Sequence, residues 1–160
     1  MKAAGNHQML EIATNGKARR DYHISETFEA GIELKGTEVK SIRLGKINLR
    51  DAFARVEGSQ VFLYGCDIQP YEQASHEQHA AKRSRRLLLN KREIERLRGL
   101  SQIKGQALVA LSSHWRNNRV KVVIGVGKGK THSDQRQDLK KKDDQREMDR
   151  EAMRFRKHGG

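Results

Sequence analysis

Apolar residues are gathered in the middle of this chain, between Tyr22 and Val126, and both ends are almost purely polar. Only 35% of the 160 residues are apolar and 33% are charged, so the core must be modest and belong to one compact domain. A polar end cannot bury enough surface to offset the entropy of ordering itself. The distribution therefore predicts a flexible N-terminal segment over 1–16, a folded middle over 17–127, and a basic C-terminal tail over 128–160 that is disordered when free.

Charge narrows the choice of partner. Lys and Arg number 33 against 20 Asp and Glu, giving a formal net charge of +13. Such an excess favours nucleic acid, anionic membrane or acidic protein as partner. No apolar run is long enough to span a bilayer, and residues 1–16 lack the apolar stretch of a signal peptide. Nucleic acid in the cytoplasm is the expected setting. Cys66 is the single cysteine, which fits a reducing compartment and rules out an internal disulfide. Strand alternation from Val61 to Ile68 places Cys66 beside Phe62, Tyr64 and Ile68 as a small buried hydrophobe.

The middle reads mainly as strand. Asp21–Leu34 predicts a long strand bent near Gly31, and Gly36–Gly45 a short helix with Thr37 as cap and Gly45 at its end. Asn48–Glu57 and Gln60–Ile68 flank Gly58-Ser59, a hairpin signal. Gln69–Arg86 reads as a long surface excursion ending in the basic run Lys82–Arg86. Asn90 and Glu93 open a second helix as a capping box, with Ile94 and Leu97 on one face and Gly99 at its end. Gln106–Ser113 and Arg119–Val126 are strands joined through Asn117-Asn118. About five antiparallel strands with little helical cover predict a small OB-like Greek-key barrel, mainly β, with two or three short helices.

No enzymatic motif survives inspection. Gly125–Thr131 ends in Gly-Lys-Thr like a phosphate-binding loop, but Ile124 stands where its first glycine belongs and polar tail follows. Its alternating glycines and lysines suit a flexible strap along a sugar-phosphate backbone instead. His76 and His79, near Glu72 and Glu77, read as part of a solvated loop rather than a metal set. Ser113-His114 has no acid placed to complete a triad. The acids Asp21, Glu26, Glu29, Glu33 and Glu38 read as surface counter-charges. No catalytic residue, metal, cofactor or small-molecule substrate is expected. Trp115, between His114 and Arg116 at a hairpin tip, either stacks on a base or packs over the end of the barrel.

The tail has its own order. Lys142, Arg146, Arg150 and Arg154 recur every fourth residue, with Asp143, Glu147 and Glu151 beside them and Met148, Ala152 and Phe155 on a third face. Such a helix would be marginal alone and could order on a partner.

These residues resemble a known family. Asn15–Arg19, Glu29–Ile32, Gly36–Arg43 and Gly45–Leu49 look like the first half of SmpB, the tmRNA-binding proteins of bacterial ribosome rescue. Leu87–Ile94, Val109–Leu111 and Lys121–Lys130 look like the second, in the same order. The resemblance implies an OB-like barrel that binds the tRNA-like domain of tmRNA and enters the vacant A site of a stalled ribosome. Carried over by position, it implies RNA contact by Asn15, Lys17, Arg19, Tyr22, Glu29, Leu89, Asn90 and Lys91, with a second patch at Lys121, Lys128 and Lys130. It also implies that the tail becomes helical in the mRNA channel near the decoding centre, where Asp134, Arg136, Lys142, Arg146, Arg150 and Arg154 meet rRNA. The family usually shows Asp-Lys-Arg where this chain has Asp134-Gln135-Arg136, and Gly16 sits where a basic residue is common. A basic ribosome- or RNA-associated protein without tmRNA specificity is the alternative; it explains the charge and barrel but not the ordered blocks.

Overall fold

The computed structural model describes residues 9–73 and 78–158. Two compact units are present, Met1–Gly129 and Lys130–Gly160. The first contains β1 (Leu10–Thr14), α1 (Gly16–Asp21), β2 (Tyr22–Ile32), α2 (Gly36–Arg43), β3 (Ile47–Asn48), β4 (Phe53–Glu57), β5 (Gln60–Tyr64), β6 (Asp67–Ile68), β7 (Arg85–Leu88), α3 (Lys91–Ser101), β8 (Gln106–Arg116) and β9 (Arg119–Gly129). The second is α4 (His132–His158), one helix of 27 residues.

Six strands close on themselves in the order β8-β4-β5-β7-β2-β9, because β9 also pairs with β8. All these ladders are antiparallel. The sheet closes through the β8–β9 ladder, and the expected mainly β, OB-like barrel is present. The hairpin turns form where the sequence places them: Asn117 and Asn118 hold φ of 50° and 62°, and Gly58 holds +61°. Alternate residues point inward to a core that includes Phe28, Ala30, Leu63, Leu87, Leu97, Leu108, Val122 and Ile124. Helix α2 ends as expected at Gly45, with Gly45 N–H on Ile42 O at 2.9 Å and Lys46 N–H on Ser41 O at 3.0 Å.

Several local expectations change. Leu10–Thr14, inside the segment expected to be flexible, forms β1 against Ser112–Trp115 of β8. Thr37 is not the cap of α2; the carboxylate of Glu38 instead accepts the Lys35 N–H at 2.8 Å. Gly99 lies within α3 rather than ending it. Cys66 is buried, but with Val61 and Leu63 rather than with Phe62 and Tyr64. The cause is Gly65, which at φ +72° ends the alternation. Burial pushes the Cys66 thiol up to about 11, leaving it inert.

In the excursion after β6, the described residues near His79 are anchored to the barrel rather than solvated. His79 is buried; its Nδ1 is 2.9 Å from Thr37 Oγ1 and its Nε2 2.8 Å from Ile68 O. His76 lies outside the described residues. Nor is Glu38 a surface counter-charge. It is fully buried and bound by Arg83 and by the equally buried Arg85.

The glycines of Gly125–Gly129 do not form a flexible strap, since they belong to β9. At Gly127 a Cβ would sit 2.3 Å from His23 O, where β2 carries a register shift between Ile24 and Glu26. Gly129 has nothing within 4 Å of the same position. Gly127→Ala is therefore expected to destabilise the protein by about 1–3 kcal/mol in denaturant unfolding. Gly129→Ala should unfold close to the parent chain.

Candidate nucleic-acid interface

A groove of about 550 Å³ lies where α1 crosses the barrel, and Asn15, Lys17, Tyr22, Arg50, Asp51 and Phe53 help to line it. Its geometry starts from Asn15. This residue sits at the corner where β8 passes from its single pairing with β4, at Val109, to its pairing with β1. The Asn15 backbone N–H donates to Leu111 O at 2.7 Å. Its Nδ2 donates to Leu49 O at 2.7 Å and Ala110 O at 2.8 Å, and its Oδ1 accepts the Ala18 N–H at 3.1 Å, capping α1. The side chain is buried, so its polar atoms fix the corner and the first turn of α1.

That turn carries cations to the surface. Lys17 lines the groove, 3.7 Å from Asp51, and Arg19 is exposed on the same helix. Tyr22 begins β2 and packs against Ala18, Val109 and Leu111. Lys128 is exposed near the end of β9, opposite both His23 and Gln106. The first group of expected residues is thus gathered around α1 and the adjoining strand ends.

A second group lies along β2, β9 and the end of β7. Gly31 of β2 is opposite both Lys121 and Leu88, which brings Lys121 close to the Leu89–Lys91 corner. Leu89 packs on the core, whereas Asn90 and Lys91 are exposed. Asn90 Oδ1 accepts the Glu93 N–H at 2.9 Å and caps α3 as expected. Glu29 faces outward two residues before Gly31. Its carboxylate is 3.0 Å from Arg116 Nη2 and 3.4 Å from His114 Nε2, and His114 is buried. Glu29 is thus more than a surface counter-charge, since it also holds Arg116. Sequence spacing gave no sign of His114 and Arg116, because the contact crosses from β2 to the far end of β8.

Trp115 is half-buried against the core, with the Arg43 guanidinium 5.4 Å from its ring centroid. This contact with the core agrees with the packing reading.

In the second unit, Thr131 and Asp134 cap α4 reciprocally. Asp134 N–H donates to Thr131 Oγ1 and Thr131 N–H to Asp134 Oδ2, each at 3.2 Å. Lys130 pairs with Asp138. Arg136, Lys142, Arg146, Arg150 and Arg154 are exposed on the helix, and the side chain of Phe155 is outside the described residues. Among the described residues, no group of three or more His, Cys, Asp or Glu could hold a metal ion, and no helix is long and apolar enough to cross a membrane.

Known proteins resemble this arrangement over nearly its whole length. The family model described as SmpB protein matches residues 12–154. An SsrA-binding protein of Carboxydothermus hydrogenoformans is 51% identical over 145 residues, which is 91% of this chain and 97% of that protein. An SsrA-binding protein of Bacillus subtilis is 48% identical over 139 residues, or 87% of this chain and 89% of that one. A solved chain described under "tmRNA-SmpB: a journey to the center of the bacterial ribosome" is 41% identical, with a TM-score of 0.64 over 82% of this chain and 94% of that chain. With the barrel, the corner built on Asn15 and the ordered sequence blocks all in place, the chain belongs to the SmpB family.

Proposed function

We propose that this protein binds the tRNA-like domain of tmRNA and delivers it to the A site of stalled ribosomes in the cytoplasm, doing no bond chemistry itself. The observation that carries this reading is the near-half identity, over almost the full length of both chains, to proteins named for binding SsrA RNA. The surface chemistry supports it. Lys17, Arg19, Lys91, Lys121 and Lys128 stand at the barrel surface, where each can neutralise a phosphate and release counterions. Asn15 acts as a positioning residue: it holds the turn that presents Lys17 and Arg19. Tyr22 packs beneath that turn. Glu29, held by Arg116 and His114, keeps a carboxylate oriented for an exocyclic amine or ribose hydroxyl. The Leu89-Asn90-Lys91 corner adds an apolar contact, an amide and a cation beside it. Lys130 would face RNA backbone as part of the second patch, Arg136 would meet rRNA, and Asp134 would serve by capping the helix that carries the remaining cations.

The test is a titration of the protein against tmRNA and an unrelated RNA of equal length at several salt concentrations. A preference for tmRNA of about tenfold or more that persists as salt rises is expected, because shape-specific contacts outlast the counterion effect. Equal affinities that collapse together would mean that charge alone does the binding, as in a general RNA-associated basic protein.

A further inference from the structure

The outer face of β4, β5 and β7 carries an arrangement of rings and guanidinium groups that the residues above leave unused. Strand register sets Phe53 opposite Tyr64, and sets Arg55 opposite Phe62, which is itself opposite Arg86. Their chain neighbours Ala54, Val61, Leu63, Arg85 and Leu87 are buried, so the first set shares the outward surface. Phe53 and Tyr64 stack with centroids 5.6 Å apart and planes 20° from parallel. The Arg55 guanidinium lies 6.0 Å from the Phe53 centroid and 5.6 Å from that of Tyr64. Phe53 is nevertheless 40% exposed, and Leu88 on the same face is 49% exposed.

Two concavities border this face. Phe53 and Arg55 form one wall of the groove that holds Lys17 and Tyr22. On the other side Phe62 and Arg86 line a smaller groove of about 340 Å³, together with Lys35, Arg83 and Gln60.

We propose that this face binds a single-stranded stretch of RNA, with unpaired bases stacked on Phe53 and Tyr64 and phosphates met by Arg55 and Arg86. Every base has a π-face, so a ring platform takes unpaired bases without regard to sequence, whereas a duplex keeps its bases in its own stack. The neighbouring guanidinium groups supply the complementary charge, on a chain whose net charge of +13 already draws polyanions. Two acids are near: Glu57, which accepts the Tyr64 hydroxyl, and Glu33, which lines the smaller groove. Rings and arginines also occur at protein interfaces, and the test below separates a protein partner from RNA. The inference rests on the reading that the protein binds RNA, yet uses none of the residues assigned to tmRNA.

The experiment uses the full chain and two probes: an oligoadenylate decamer carrying a central 2-aminopurine, and a fully paired RNA hairpin. Binding of the decamer is expected to change the 2-aminopurine fluorescence. Phe53→Leu, which keeps an apolar side chain but removes the ring, should weaken decamer binding about fivefold or more and hairpin binding far less. Arg55→Gln should also lower the salt slope for the decamer by about one. Tyr64→Leu supplies an independent reading of the same platform should Phe53→Leu fail to fold. Affinities of the folded leucine variants within about twofold of the parent chain, or an unchanged 2-aminopurine signal, would overturn the inference and leave the face to a protein partner. Measuring tmRNA preference on the same samples separates the two readings, since loss of that preference with decamer binding intact would sink only the tmRNA proposal.

Discussion

Glu38→Ala is expected to destabilise the barrel by about 3–5 kcal/mol in denaturant unfolding, because it leaves a buried arginine without a counter-charge. Both Glu38 and Arg85 have fully buried side chains, and Arg85 Nε is 2.5 Å from Glu38 Oε2. Arg83 adds its Nε at 3.1 Å and 3.2 Å from the two carboxylate oxygens. Arg85 also donates to Cys66 O at 2.8 Å, Arg83 O at 3.0 Å and Ala81 O at 3.1 Å. One carboxylate therefore joins α2, the start of β7, and the segment between β6 and β7. A domain holds only about 5–15 kcal/mol in all, so the loss would be visible as a large fall in the unfolding midpoint. Glu26→Ala is the control: its partner Arg96 is mostly solvent-exposed, and solvent screening should leave that variant near the parent chain. Glu38→Leu combined with Arg85→Met should recover much of the loss, because hydrophobic replacement of a buried pair is often neutral. A Glu38→Ala midpoint equal to that of Glu26→Ala would refute the role given to the pair.

The same carboxylate predicts a pH dependence. Burial by itself would push the Glu38 carboxyl up, but hydrogen bonds from Arg83, the Lys35 N–H and Arg85 outweigh it and hold the carboxyl below its ordinary value. A group lowered on folding contributes stability above its unfolded value, and that contribution is lost as pH falls through the folded one. The gap in stability between the parent chain and Glu38→Ala should therefore narrow in acid.

How much of this was legible in the sequence depended on whether the signal was local. The Asn117-Asn118 turn, the Asn90–Glu93 capping box and Gly45 at the end of α2 were readable because each acts within a few residues. The barrel followed from counting hairpins. What pairs across the chain left no such mark. Arg83 and Arg85 looked like part of a solvent-exposed basic run, and only closure of β5 on β7 brings them to Glu38, 45 and 47 residues away. His79 is a similar case, pinned to Thr37 across 42 residues. Strand β1 was hidden by its polar surroundings, since it needs only one edge of β8 and little apolar surface. The resemblance named the candidate RNA-binding residues, but it could not divide their labour. Asn15 turns inward to hold α1, while Lys17 and Arg19 of that helix face solvent or groove.

Removal of the chain from Arg136 onward is expected to leave tmRNA affinity near normal and to abolish tagging of peptides on stalled ribosomes. The barrel residues assigned to tmRNA all lie in the unit ending at Gly129, and that unit has its own closed sheet and core. The deleted helix is exposed from Leu139 to Arg154, so packing contributes little to its stability and it should be marginal when free. Its cations Lys142, Arg146, Arg150 and Arg154 form a stripe that gains by meeting phosphate, and ordering coupled to that contact fits a segment needed on the ribosome rather than for RNA capture. Charge reversal at Arg146, Arg150 and Arg154 should reproduce the tagging defect at full length, because it keeps the chain and its capping pair Thr131–Asp134 but removes the attraction to rRNA. The pair of measurements is a tmRNA gel shift and a tagging assay on a message without a stop codon. A truncated protein that bound tmRNA as poorly as a Lys17→Glu variant would show that the tail takes part in capture, and the division between barrel and helix would fall.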